Sequence, residues 1–155
     1  MQEHIVAKLK LMEERCRRNG LSLTVQRRTI LENLASRTDH PTADQVYAAV
    51  KGQISGVSRT TVYRVLETFV QLGLASKISN PEARARFDAN TMPHPHAACL
   101  ACERVIDIHG TSLPDIDLSG ADLGGFVVQE CSIVITGLCP ECAAKGAIAN
   151  SYHLN

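Results

Sequence analysis

Two Cys-x-x-Cys pairs, Cys99–Cys102 and Cys139–Cys142, are separated by 36 intervening residues in the second half of a 155-residue chain. Each pair delivers two thiolates from one tight turn, and two such turns complete a tetrahedral S4 site. Zn2+ suits this donor set because it asks only for soft ligands in tetrahedral geometry. Iron–sulfur ligation, disulfide bonding and thiol-redox use compete for the same four cysteines. A closed S4 site has no open position, so its expected role is structural. Cys16 and Cys131 fall outside this count and are read as buried or incidental thiols.

His94 and His96, just upstream of the first pair, are left over. On an extended strand their i, i+2 spacing puts both imidazoles on one face. Three more residues belong with them. Asp88 precedes a hinge-like stretch, Asp107 lies in the next apolar run, and His40 precedes Pro41. Three imidazoles and two carboxylates form a mixed N/O set that suits Fe2+ or Mn2+ and differs in kind from the S4 site. Each also has an ordinary reading: His40 as a polar turn residue, Asp88 as a strand-end cap, Asp107 as a surface carboxylate.

The elements that must position these residues are readable from periodicity and caps. A charged helix runs from about Gln2 to Asn19 and ends at Gly20. A second opens at Thr24 and carries Ile30, Leu31 and Leu34. A third begins at Thr42, where Gln45 completes a capping box. The fourth starts after Ser58, and Val62, Val65, Leu66, Phe69 and Leu72 form one apolar stripe closed by Gly73. Off that stripe, in the first two turns, stand Arg59, Thr60, Thr61, Tyr63 and Arg64. Buried anchors with polar and cationic N-terminal residues are the pattern of a recognition helix entering a major groove. The alternative is a solvated helix face. Leu74–Ile78 and Ala85–Asp88, joined by Ser79-Asn80-Pro81-Glu82, then read as a two-stranded wing. Arg27, Arg28, Arg59, Arg64, Lys77, Arg84 and Arg86 all fall within this winged helix-turn-helix.

The expected fold class is α+β. A winged-helix DNA-binding domain spans 1–88, a hinge 89–93, and a small α/β dimerisation and metal-binding domain 94–155. In the latter, Arg104–Ile108 and Phe126–Thr136 read as strands, the segment between Leu113 and Gly125 as holding a short helix, and Cys139-Pro140-Glu141-Cys142 as the lead into a last helix. So small a domain needs a metal or a partner subunit for stability. Charge divides the same way. Residues 1–88 hold 14 Lys and Arg against 9 Asp and Glu, a net +5, and residues 89–155 hold 2 against 7, a net −5. The basic half is the part that would meet a polyanion. No apolar run reaches the ~20 residues of a membrane span, and the start has no secretory h-region, so a cytoplasmic location is expected. There is no His-Glu-x-x-His motif or nucleotide loop, so an enzyme is not expected.

The residues His40-Pro41-Thr42-Ala43-Asp44, Ser58-Arg59-Thr60-Thr61-Val62-Tyr63-Arg64, Arg86-Phe87-Asp88, His94-Pro95-His96 and the two cysteine pairs occur in order from about residue 20 to 142. In these the chain resembles the ferric uptake regulator (Fur) superfamily, and within it the peroxide-sensing PerR branch. An aspartate at 107 and His94-Pro95-His96 set it apart from iron-uptake regulators, which tend to carry glutamate and a His-Asp-His run there. Gln129-Glu130-Cys131 stands where many relatives have histidines. The resemblance implies a homodimeric, metal-dependent repressor that binds double-stranded, palindromic operator DNA. Zn2+ would sit on Cys99, Cys102, Cys139 and Cys142, and regulatory Fe2+ or Mn2+ on His40, Asp88, His94, His96 and Asp107. It further implies that peroxide, reacting at bound iron, oxidises His40 or His94 and ends repression, whereas Mn2+ supports DNA binding without that reactivity. The alternative within the family is a sister repressor that senses iron, manganese or zinc supply.

Overall fold

Thr24, Thr42 and Ser58 each turn the chain into a helix by accepting a backbone N–H from three residues on. The computed structural model describes residues 2–79, 84–110, 120–128 and 131–147. They fall into two compact units, Met1–Met92 and Pro93–Asn155. Among the described residues no helix is long and apolar enough to cross a membrane.

The first unit contains α1 (Gln2–Arg18), α2 (Val25–Ala35), α3 (Ala43–Val50), α4 (Arg59–Gln71) and the hairpin β1 (Ser76–Ile78) with β2 (Arg86–Asp88). The capping box expected at α3 is complete, with Thr42 Oγ1 accepting from Gln45 and Gln45 Oε1 accepting from the Thr42 N–H. The apolar stripe of α4 faces inward: Val62, Leu66 and Phe69 have no exposed surface, and they pack with Met12, Ile30, Leu31, Val46, Val50, Leu74 and Phe87. Burying each large aliphatic or aromatic side chain contributes roughly 1.5–3 kcal/mol. This common core of helices and hairpin fixes the direction of α4. Gly73 ends it at φ 64°, a left-handed position where a Cβ would be strained. The strands are shorter than expected, because Leu74 and Ala75 bond back to Phe69 at the end of α4 instead of pairing across the hairpin. Much of the predicted wing turn, residues 80–83, lies outside the described residues.

The second unit contains β3 (His96–Cys99), β4 (Val105–Asp107), β5 (Val134–Gly137) and α5 (Pro140–Ala144). The sheet order is β4-β3-β5, antiparallel on one side and parallel on the other. The central strand, β3, is not marked by the sequence pattern, since His-Ala-Ala-Cys has none of the β-branched residues that identify strands. Conversely, the strand expected over Phe126–Thr136 is shorter: among its described residues Val134–Thr136 lie in β5, with the Ile133 carbonyl accepting from the His96 N–H, while Phe126 and Val127 are about four-fifths exposed. The helix expected between Leu113 and Gly125 falls mostly outside the described residues.

Candidate metal centres and nucleic-acid interface

The first knuckle is the turn of the β3–β4 hairpin. Cys99 ends β3, its N–H donates to the Arg104 carbonyl at 2.8 Å, and Glu103 closes the turn at φ 59° with its N–H on the Cys99 carbonyl. The second knuckle is a helix start, with Cys139 as N-cap of α5, Pro140 in the first turn and Cys142 one turn further. All four sulfurs lie within 4.8 Å of one another, and Cys102 Sγ is 3.8 Å from Cys139 Sγ. Arg104 and Glu141 join the two knuckles through a bidentate pair at 3.0 and 3.1 Å. None of the six cysteines is in a disulfide.

The thiols are electrostatically uneven. Burial alone pushes Cys99 up, but the backbone N–H groups of Cys139, Cys102 and Ala101 together outweigh it and bring the thiol down to about 6. Cys142 moves the other way: hydrogen bonding to the Cys139 sulfur, together with desolvation, pushes it up to about 12. Shared hydrogen bonds among the sulfurs thus make the four thiols release their protons as one set, as binding a cation requires. This soft, converging donor set fits Zn2+.

In the first unit, His40 and Asp88 meet. His40 is buried at φ 49°, a left-handed conformation doubly unfavourable for a residue before proline. Two bonds from β2 hold it there: Arg86 Nη1 donates to the His40 carbonyl at 2.9 Å, and the Phe87 N–H donates to the Pro41 carbonyl at 3.0 Å. His40 Nε2 then lies 3.7 Å from Asp88 Oδ2, while Asp88 Oδ1 accepts the Asn90 N–H at 2.8 Å. Arg86, counted in the sequence among the basic residues of the winged helix, is buried and holds His40. Lys8, which no sequence motif includes, is buried as well. It reaches from α1 to Thr91 Oγ1 at 3.5 Å; burial lowers its pKa and the Asp88 carboxylate opposes that shift. The signal for both was weak, since a lysine or arginine in a basic segment looks the same whether it faces solvent or not.

In the second unit, strand register brings His96 and Asp107 together. They are direct partners across β3 and β4, and directly opposed residues share a face. His94 is not on the strand as expected; it precedes β3. The centre of its ring nevertheless lies 4.4 Å from that of His96, the two planes tilted by 50°, and its Nε2 is 3.0 Å from Asp107 Oδ1. His96 Nε2 is 3.6 Å from the same oxygen. Imidazoles facing carboxylates make N/O donor sets that fit Fe2+ or Mn2+ better than a soft metal.

On α4, Thr60, Tyr63 and Arg64 are exposed as expected. Thr61 is half-buried, its hydroxyl 2.9 Å from the Ser58 hydroxyl in the cap. Arg59 Nη1 donates to Asp44 Oδ1 at 2.9 Å, and its guanidinium lies 5.4 Å from the centre of the Tyr47 ring. Lys77 lies over the Tyr63 ring and donates to Glu67 at 2.7 Å, tying β1 to α4.

The model of the Ferric uptake regulator family matches residues 18–136. The chain is 36% identical over 137 residues to the peroxide operon regulator of Bacillus subtilis, across 88% of this chain and 94% of that one. It is 32% identical over 130 residues to the peroxide-responsive repressor PerR of Staphylococcus epidermidis, across 84% and 87% of the two chains. Its fold is similar to that of the Helicobacter pylori ferric uptake regulator Fur, with a TM-score of 0.72 at 18% identity over 90% of this chain and 93% of that one.

Proposed function

The chain belongs to the ferric uptake regulator family, and from that premise we propose that it is a peroxide-responsive, metal-dependent repressor of transcription. The observation that carries this reading is the separation of donor types: a closed cluster of four thiolates, and elsewhere imidazoles facing carboxylates at His40–Asp88 and at His94, His96 and Asp107. The two relatives with which the chain shares about a third of its residues are both peroxide regulators by name.

Cys99, Cys102, Cys139 and Cys142 hold a structural Zn2+. His40 and Asp88 from the first unit, with His94, His96 and Asp107 from the second, hold regulatory Fe2+ or Mn2+. Because these ligands come from both units, binding favours the arrangement in which all five converge, and it does so only by its differential affinity for that arrangement. At about 100 times its dissociation constant, a ligand contributes roughly 2.7 kcal/mol to the state that binds it. Bound iron supplies reactivity toward peroxide. With iron bound, His40 and His94 would be the side chains that take up oxygen from peroxide, and an oxidised imidazole, as a poor donor, would no longer hold the ion or the DNA-binding form.

Thr60, Tyr63 and Arg64 of α4, with Arg59 and Thr61 at its start, form the DNA-facing surface. The second unit makes the homodimer. Ile106, Ala97 and Ile135 lie in one row across β4, β3 and β5 on the face opposite His96, and the two isoleucines are about half exposed. An apolar sheet face of this kind is suited to a second copy. Two recognition helices in such a dimer meet operator half-sites about 34 Å apart, or another whole number of helical turns. The protein acts in the cytoplasm.

The decisive experiment is mass spectrometry of iron-loaded protein after brief peroxide exposure, with DNA binding followed in parallel. Added oxygen at His40 or His94, matched in time to DNA release, is the expected result. Release without oxygen at either histidine would overturn the peroxide mechanism.

A further inference from the structure

Arg59 and Arg84 converge on one carboxylate. Arg59 opens α4, Arg84 stands just before β2, and Asp44 lies in the first turn of α3. Asp44 Oδ1 accepts from Arg59 at 2.9 Å and Oδ2 accepts from Arg84 at 3.4 Å. The guanidinium of Arg59 also lies over the Tyr47 ring, which is on α3 with Asp44. Beside this contact a cleft of about 310 Å3 is lined by Ala43, Asp44, Arg59, Thr60 and Tyr63.

We propose that Asp44 is a specificity-determining positioning residue that, with Tyr47, clamps Arg59 in one orientation and withholds Arg59 and Arg84 from indiscriminate phosphate contact. The proposal rests on the reading of α4 as the DNA-facing helix. An arginine free to swing meets phosphates on any duplex, and phosphate contacts carry no sequence information. An arginine biased by a carboxylate and a ring has less of that freedom before DNA arrives, so its planar fork is offered mainly in one direction, as a bidentate contact to a guanine edge requires. The carboxylate also sets a negative charge beside the two cations, which costs most where phosphates supply all of the binding. Both arginines are about 70% exposed. Their pairing with Asp44 is therefore weak enough for DNA to remodel.

The test uses full-length, Mn2+-loaded protein. A duplex selected by the wild-type protein from a random-sequence pool is compared with a scrambled duplex, for wild type, Asp44→Asn, Tyr47→Leu, Arg59→Ala and the double variant D44N/R59A. Asp44→Asn is expected to tighten scrambled-duplex binding several-fold. It should steepen the salt dependence by about 1–2 in the log–log slope, since each further phosphate neutralised adds roughly 0.9. The preference for the selected duplex should fall at least about fivefold, and Tyr47→Leu should lower it in the same direction. In the Arg59→Ala background the effect of Asp44→Asn on that preference should disappear. Equal fold-changes on both duplexes, or an undiminished effect without Arg59, overturn the proposal. Should Asp44→Asn not fold, an unchanged preference in Tyr47→Leu overturns it alone. If the wild-type protein selects no duplex, the failure lies with the reading of α4 as the DNA-facing helix.

Discussion

Nε2 of His40 lies 3.7 Å from Oδ2 of Asp88, and the pair is made by the same two strand residues that hold the backbone of His40 in a left-handed turn. Arg86 bonds to the carbonyl of His40, Phe87 bonds to that of Pro41, and the next residue on the strand is Asp88 itself. Carboxylate and support are thus one short stretch of β2, laid against the strained backbone of His40 at the entrance to α3. Strain of this kind persists only where surrounding contacts over-determine it.

Arg86→Leu therefore weakens the regulatory site without removing a ligand. Its removal leaves the buried His40 carbonyl without its guanidinium donor. Mn2+ affinity is expected to fall about 10–100-fold, the range for residues that orient metal ligands. Competition titration with a fluorescent chelator measures this. Wild-type Mn2+ affinity in a folded Arg86→Leu protein would show that the guanidinium has no part in placing His40.

Cys99→Ser is expected to abolish stoichiometric zinc and to unfold the second unit. Cys99 is one of the four clustered sulfurs and also the last residue of the central strand, bonded at both backbone groups within the knuckle. Structural zinc contributes an apparent ~10–16 kcal/mol in small zinc domains. Metal analysis and hydrogen exchange on β3–β5 provide the check. Retention of one zinc per chain with protected strands contradicts the S4 assignment.

Two α4 substitutions should separate fold from DNA contact. Phe69→Ala removes a fully buried ring and should cost about 3–5 kcal/mol in denaturant unfolding. Arg64→Ala, on the exposed face, should leave stability within about 0.5 kcal/mol. It should nevertheless weaken DNA binding and reduce the salt slope by about 1. An Arg64→Ala protein with undiminished DNA affinity would remove that residue from the interface.

Lys77 and Glu67 give a pH-dependent contribution of defined sign. The hydrogen bond that the Lys77 ammonium donates to Glu67, opposed by burial, raises its pKa above the usual 10.5. A folded-state value above the unfolded one means that the contribution is complete below about pH 10.5 and is lost as pH rises through the raised value. Glu67→Gln should thus lower stability by up to ~1 kcal/mol near neutral pH, with the difference closing in strong base. Denaturant melts of both proteins across that range test it. A gap that persists in strong base assigns the effect to packing instead.

The helical half was readable because its information is local. Ser58, Thr42 and Thr24 cap helices through bonds to residues three positions on, and the Val62–Leu72 stripe repeats at the helical period. The centre of the sheet was not, because β3 is made of His, Ala, Ala and Cys and is a strand only by virtue of its partners on both sides. Of its neighbours, β4 falls where Arg104–Ile108 reads as a strand, whereas the other is over-extended: the Val- and Ile-rich stretch before β5 has strand composition, but Phe126 and Val127 are outside every ladder among the described residues.

What the sequence by itself determined was donor identity. Cysteine spacing defines a soft four-thiolate set from side-chain chemistry and turn length, which need no knowledge of the fold, whereas His40, Asp88, His94, His96 and Asp107 are gathered into a harder set by the family resemblance. Only the tertiary structure decided how those donors are held. The register of β3 against β4 faces His96 toward Asp107, a buried Arg86 bends His40 toward Asp88, and Asp44 gathers two arginines from separate elements. These contacts join residues far apart in the chain. Burial and orientation then settle whether a charged side chain meets solvent, supports a neighbour or restrains one.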